Sequence, residues 1–88
     1  MKVLKFGAIW CKECLVMRPM WEDIEKEIPE LVTEYYDADE SPDILDKYEA
    51  EKIPVFVFLD KDNNVILKLQ GIQSKDELVK LIKENLDK

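Results

Sequence analysis

A chain of 88 residues with a formal net charge of -7, 38% charged and 47% hydrophobic, has room for one domain, residues 1–88, close to the smallest size that sustains a single core. The acidic balance argues against nucleic acid, whose binding rests on neutralising phosphates, and the longest apolar run, IPVFVFL, is too short to span a bilayer. The mildly basic, apolar start is interrupted by Lys5 and followed by Lys12 and Glu13, so no signal peptide is read, and the expectation is a cytoplasmic monomer in a reducing compartment.

In chain order, KVLKFGAIW reads as a strand rich in β-branched and aromatic residues. A helix follows from about Cys11 to Ile28, because Met17, Met20, Trp21, Ile24 and Ile28 recur at three- and four-residue spacing and share one face. Pro19 is expected to kink it and Pro29 to end it. LVTEYYDA reads as a second strand. Ser41 as N-cap and Pro42 at the first helical position open a short helix. PVFVFLD is a continuous apolar strand, the mark of burial on both faces. KDNN makes a turn, and VILKLQ is the returning strand of a hairpin, nearer the sheet edge. Gly71 breaks that strand. Ser74 and Glu77 form a capping box before a last helix that turns Leu78, Leu81, Ile82 and Leu86 inward. The order β-α-β-α-β-β-α predicts an α/β fold: a four-stranded mixed sheet with helices on both faces.

The chemistry concentrates in WCKEC. Cys11 and Cys14 are the only cysteines, and the chain has no histidine. Three uses are open to such a pair: a structural staple, half of a metal site, or a redox couple. A disulfide closing so short a loop gains little stability. Zinc needs four ligands, which this chain supplies only as a dimer, for zinc or an iron–sulfur cluster. A redox couple fits best, since the pair stands at the carboxyl end of the first strand where a helix begins. Unpaired N–H groups there favour thiolate over the ordinary thiol of pKa ~8.5. Cys11, at the first position, is thus expected to be the more exposed, attacking thiolate, with Cys14 one turn on and pointing deeper. Pro54 opens the buried strand expected beside the first one; a cis Ile53–Pro54 bond would present its backbone to a substrate chain. Lys12 and Glu13 read as exposed residues between the cysteines. Trp21 reads as core and Trp10 as active surface. Asp37, Asp39 and Glu40 read as a solvated loop rather than a cation site.

With these residues in view, the chain resembles the thioredoxin family. The match runs through F-x-A-x-W-C-x-x-C at Phe6, Ala8, Trp10, Cys11 and Cys14, then Pro19. It continues through D-x-x-P-x-x-x-x-K-Y at Asp39, Pro42, Lys47 and Tyr48, then Ile53-Pro54 and Gly71. The resemblance implies a thiol-disulfide oxidoreductase with no cofactor beyond the Cys11–Cys14 disulfide. Its substrates would be protein or small-molecule disulfides, and its electron donor a thioredoxin reductase or a low-molecular-weight thiol. It implies Cys11 as attacking cysteine, Cys14 as resolving cysteine, Pro54 as the cis-proline, and Trp10, Ile53, Gly71 and Ile72 along the substrate groove. Two other readings stay open: a binding or redox-sensor module with little turnover, and a glutathione-linked, glutaredoxin-like enzyme. The chain departs from the family in lacking an additional N-terminal strand and helix, in carrying Lys12-Glu13 for Gly-Pro, and in placing Lys5 where the family has a buried aspartate. Lys5 has two outcomes: snorkelling to solvent or pairing with a nearby carboxylate, or reaching the sulfurs and making the couple more oxidising.

Overall fold

A computed structural model describes all 88 residues. The elements are β1 (Lys2–Gly7), α1 (Lys12–Glu27), β2 (Val32–Asp37), α2 (Pro42–Lys47), β3 (Val55–Leu59), β4 (Val65–Gln70) and α3 (Lys75–Asn85). The sheet order is β2-β1-β3-β4. β1 runs parallel to β2 and antiparallel to β3, and β4 returns antiparallel along β3 at the edge.

The two-residue period of the central strands divides the core in two. Phe56 and Phe58 on β3 and Val3 on β1 pack with Met17, Trp21 and Ile24 of α1 and with Leu78 and Ile82 of α3. The alternate residues, Val55, Val57 and Leu59 with Leu4 and Phe6, pack with Leu45 of α2 on the opposite face. All five residues of β3 are buried, so its unbroken apolar run follows from having helices on both sides. No helix is long and apolar enough to cross a membrane.

Local differences from the sequence expectation have local causes. The first strand ends at Gly7 rather than Trp10, because the chain turns at residues 8–10 so that the Cys11 N–H donates to the Ala8 carbonyl at 3.2 Å. α1 runs unbroken through Pro19. The intrahelical bond that Pro19 forfeits would reach the Leu15 carbonyl, and Leu15 and Pro19 both lie on the exposed side of the helix. Ser41 occupies the N-cap of α2 without a side-chain hydrogen bond. At α3 the cap is made: the Glu77 N–H donates to Ser74 Oγ at 3.2 Å. The hairpin turn is organised by Asp60, whose carboxylate accepts the N–H groups of Asp62 and Asn64.

Candidate functional site

The turn after β1 delivers Cys11 to the N-cap of α1. Its backbone is extended, and its Sγ accepts the Cys14 N–H at 3.2 Å. That amide is one of the donors a helix start leaves without an intrahelical acceptor, and the Cys11 sulfur satisfies it. Both cysteines are free thiols. The expected order of exposure is reversed. Cys11 is 9% exposed, whereas Cys14 is half-buried. As cap residue, Cys11 is folded back over the first turn, while the Cys14 side chain lies over Gly7: a Cβ added to Gly7 would stand 3.2 Å from Cys14 Sγ.

Pro54, Gly71, Ile72 and Trp10, given to the substrate groove by resemblance, come from three separate loops. The Ile53–Pro54 peptide bond is cis. The Pro54 carbonyl accepts the Gly71 N–H at 2.8 Å, and Gly71 has φ +84°, where a side chain would be strained. The next residues are held too, since the Gln73 N–H points at Met17 Sδ at 3.5 Å. Ile72 is 55% exposed and Trp10 64%. Ile53, given to the groove by resemblance, is half-buried and packs partly against the α2-side core. Lys12 and Glu13 are exposed in the first turn of α1. Trp10 is not loose despite its exposure, because its indole N–H donates to Asp39 Oδ2 at 2.9 Å. Asp39 is therefore part of this surface rather than only solvated loop. Ile9, at 72% exposed, adds apolar area beside Trp10 that the strand reading of residues 2–10 concealed.

Behind Cys14 lies a cavity of ≈ 290 Å³ between β1 and α1, with Pro54, Tyr35 and Arg18 also in its walls. Cys11 is not among its lining residues. The Gly7 backbone is its floor, and the Tyr35 hydroxyl stands 3.3 Å from the point a Gly7 Cβ would occupy. A lone glycine inside a strand pattern marks such close approach; the sequence reading passes over Gly7, which is the signal that could have found this site. Lys5 takes the first of its two outcomes: its ammonium pairs with Glu25 Oε2 at 2.6 Å and lies 5.6 Å above the Trp21 ring. Trp21 is 2% exposed in the core and its Nε1 has no protein partner. With its charge met by Glu25, Lys5→Met is expected to lower stability by roughly 1 kcal/mol, the value of a partly exposed ion pair, and to leave the thiol titration unchanged; urea unfolding and thiolate absorbance check the two halves.

The Cys14 thiol is pushed up to about 12, first by desolvation and then by its hydrogen bond with Cys11. The Glu13 carboxylate adds to the rise, while a backbone hydrogen bond from Ala8 opposes it. Because the folded state holds this proton more tightly than an unfolded thiol does, the group stabilises the reduced fold fully below about pH 9. That contribution falls as pH rises toward about 12. Urea unfolding of the reduced protein across this window is expected to show declining stability, and Cys14→Ser to flatten the decline.

Residues 1–84 match the thioredoxin family. The chain is 36% identical over 74 residues to Thioredoxin H5 of Oryza sativa subsp. japonica, covering 84% of this chain and 54% of that protein, so it spans about half of that relative's length. It is 31% identical over 83 residues to a thioredoxin of Chlamydia trachomatis, covering 94% of this chain and 80% of the relative. Among solved structures, oxidized mitochondrial thioredoxin 3 from Saccharomyces cerevisiae superposes with a TM-score of 0.82 at 35% identity, over 93% of this chain and 76% of that one.

Proposed function

This chain belongs to the thioredoxin family, and from that premise we propose that it is a thiol-disulfide oxidoreductase reducing protein or small-molecule disulfides through Cys11 and Cys14. The observation that carries the proposal is the hydrogen bond from the Cys14 N–H to Cys11 Sγ at the start of α1, which holds the two cysteines together at the helix start, within reach of one another. Cys11 attacks one sulfur of the substrate disulfide; a mixed disulfide forms and the other substrate sulfur leaves as a thiolate. Cys14 then gives up its proton and attacks Cys11, releasing the second substrate thiol and leaving a Cys11–Cys14 disulfide. The exposed Trp10 and Ile72, with the Pro54 and Gly71 backbone, supply a surface on which an extended substrate chain lies beside the Cys11 sulfur. A thioredoxin reductase or a low-molecular-weight thiol returns the pair to the dithiol.

The test is reduction of insulin by dithiothreitol with and without the protein. Accelerated precipitation of the insulin B chain is expected. The low exposure of Cys11 favours a second reading, a redox-sensing module that turns over little. A pair that is reduced and reoxidised reversibly, with no acceleration of insulin reduction, would select that reading instead.

A further inference from the structure

Resolution of the mixed disulfide requires Cys14 to lose a proton that it holds tightly, because desolvation and then the hydrogen bond with Cys11 push its thiol up to about 12. We propose that Tyr35 serves this step: its hydroxyl donates a hydrogen bond to the Cys14 sulfur as the thiolate forms, while the Arg18 guanidinium donates to the hydroxyl oxygen. The proposal rests on the dithiol–disulfide reading above and assigns two residues to its second half.

Geometry brings the hydroxyl to the sulfur. The parallel register sets Tyr35 opposite Lys5, on the sheet face that α1 covers, and Cys14, Arg18 and Tyr35 line one cavity. The point a Gly7 Cβ would occupy is 3.2 Å from Cys14 Sγ and 3.3 Å from the Tyr35 hydroxyl. A side chain at residue 7 would wedge between the two; glycine lets them crowd together over bare backbone. The core has no need of this ring. Tyr35 is 49% exposed and belongs to neither apolar cluster, yet its polar tip is turned toward the cysteine. The other polar groups nearby are committed elsewhere or of the wrong kind. Lys5 and Glu25 are paired with each other at 2.6 Å. Glu22 is exposed on α1, and a carboxylate has no hydrogen bond to give a forming thiolate. Glu13 opposes charge on Cys14. Arg18 is exposed and in no ion pair of the fold, which leaves its donors to the Tyr35 hydroxyl. Tyr35 keeps its own proton above the ordinary tyrosine range, through desolvation and then the charges of Asp37 and Cys14. It is therefore a donor to the thiolate, not a base.

The step balances with Tyr35 unchanged at its end. Cys14 is half-buried, so water reaches it and takes its proton. The thiolate, held by the Tyr35 hydroxyl, bonds to Cys11 Sγ. The bond from Cys11 to the substrate sulfur breaks, and that sulfur leaves with the electron pair and takes up a proton from solvent. Over both halves of the reaction the cysteine pair loses two electrons and the substrate disulfide gains them.

The test is stopped-flow reaction of the reduced full chain with dithiobis(nitrobenzoate). One coloured thionitrobenzoate is released when Cys11 attacks and a second when Cys14 resolves the mixed disulfide. The reagent is raised until the first phase outruns the second, whose rate then no longer depends on reagent concentration. Tyr35→Phe keeps the ring and removes the donor. It is expected to slow the second phase about tenfold, the lower part of the range for a hydrogen bond to a charged group, and to leave the first phase unchanged. Because the thiolate must form before it attacks, the logarithm of the second-phase rate climbs with pH. That line is expected to move about one unit to higher pH in Tyr35→Phe. Arg18→Gln is expected to slow the same phase about threefold, as befits an exposed charge, and Arg18→Lys to restore part of the loss. An unchanged second phase in Tyr35→Phe, a pH profile that does not move, or an equal slowing of both phases would each overturn the proposal, the last by marking Tyr35 as merely structural. Arg18→Gln as fast as wild type would overturn the part given to the guanidinium. If the wild type releases no second thionitrobenzoate, the dithiol–disulfide reading falls and this proposal with it. If insulin reduction fails while the second phase still depends on Tyr35, the protein-substrate reading falls and the role of Tyr35 stands.

Discussion

Cys11→Ser is expected to lower disulfide turnover by at least ~10³-fold, which is ~4 kcal/mol of barrier at 1.36 kcal/mol per decade. The size follows from the role proposed for Cys11. A hydroxyl at the N-cap keeps the capping geometry, because serine is itself a preferred N-cap, so α1 should form as before and stability should change little. What disappears is the sulfur proposed to attack the substrate disulfide. Cys14→Ser should behave differently. Attack by Cys11 is retained, resolution is lost, and substrate is trapped as a mixed disulfide on Cys11, visible as a mass shift on a non-reducing gel and removed by dithiothreitol. Trapping by Cys11→Ser instead, with none by Cys14→Ser, would reverse the two roles. The low exposure of Cys11 sharpens the test. If it shields the sulfur from macromolecules, Cys14→Ser will trap small disulfides and not protein ones.

Phe58→Ala should produce the largest loss of stability. Phe58 is fully buried at the centre of β3 and packs with Val3, Met17, Trp21, Ile24, Leu78 and Ile82. Truncating such a ring costs about 3–5 kcal/mol through lost transfer free energy and the cavity left behind. A domain of this size has roughly 4–13 kcal/mol in total, so the variant should be near its unfolding threshold at room temperature. Urea unfolding is expected to show a much lower midpoint at an unchanged slope, the mark of a change in stability rather than in the surface exposed. A loss under about 1 kcal/mol would mean that the α1 and α3 side of the core closes over the gap, contrary to the packing described.

The sequence by itself determined the order of elements, the family and the place of the cysteine pair. Each of these is written in residues near one another along the chain. The three- and four-residue spacing through Met17, Trp21 and Ile24 makes a helix face, and the run Val55–Leu59 makes a strand covered on both sides. That spacing put Trp21 in the core, where it is 2% exposed, and adjacency to Cys11 put Trp10 on the surface, where it is 64% exposed. What only the tertiary structure decided are contacts between distant residues. Lys5 meets Glu25 because α1 crosses over β1. Trp10 meets Asp39 because β2 pairs in parallel with β1 and brings the loop after it to the turn that carries the cysteines. The register Lys5↔Tyr35 and Gly7↔Asp37 sets the Tyr35 hydroxyl beside Gly7, crowded against Cys14. Cys14 rather than Cys11 is the more exposed cysteine, against the expectation from the helix start alone. A helix N-terminus fixes which sulfur gains hydrogen bonds through local backbone geometry. Exposure depends on what the rest of the chain packs against that sulfur, and no spacing within WCKEC records it.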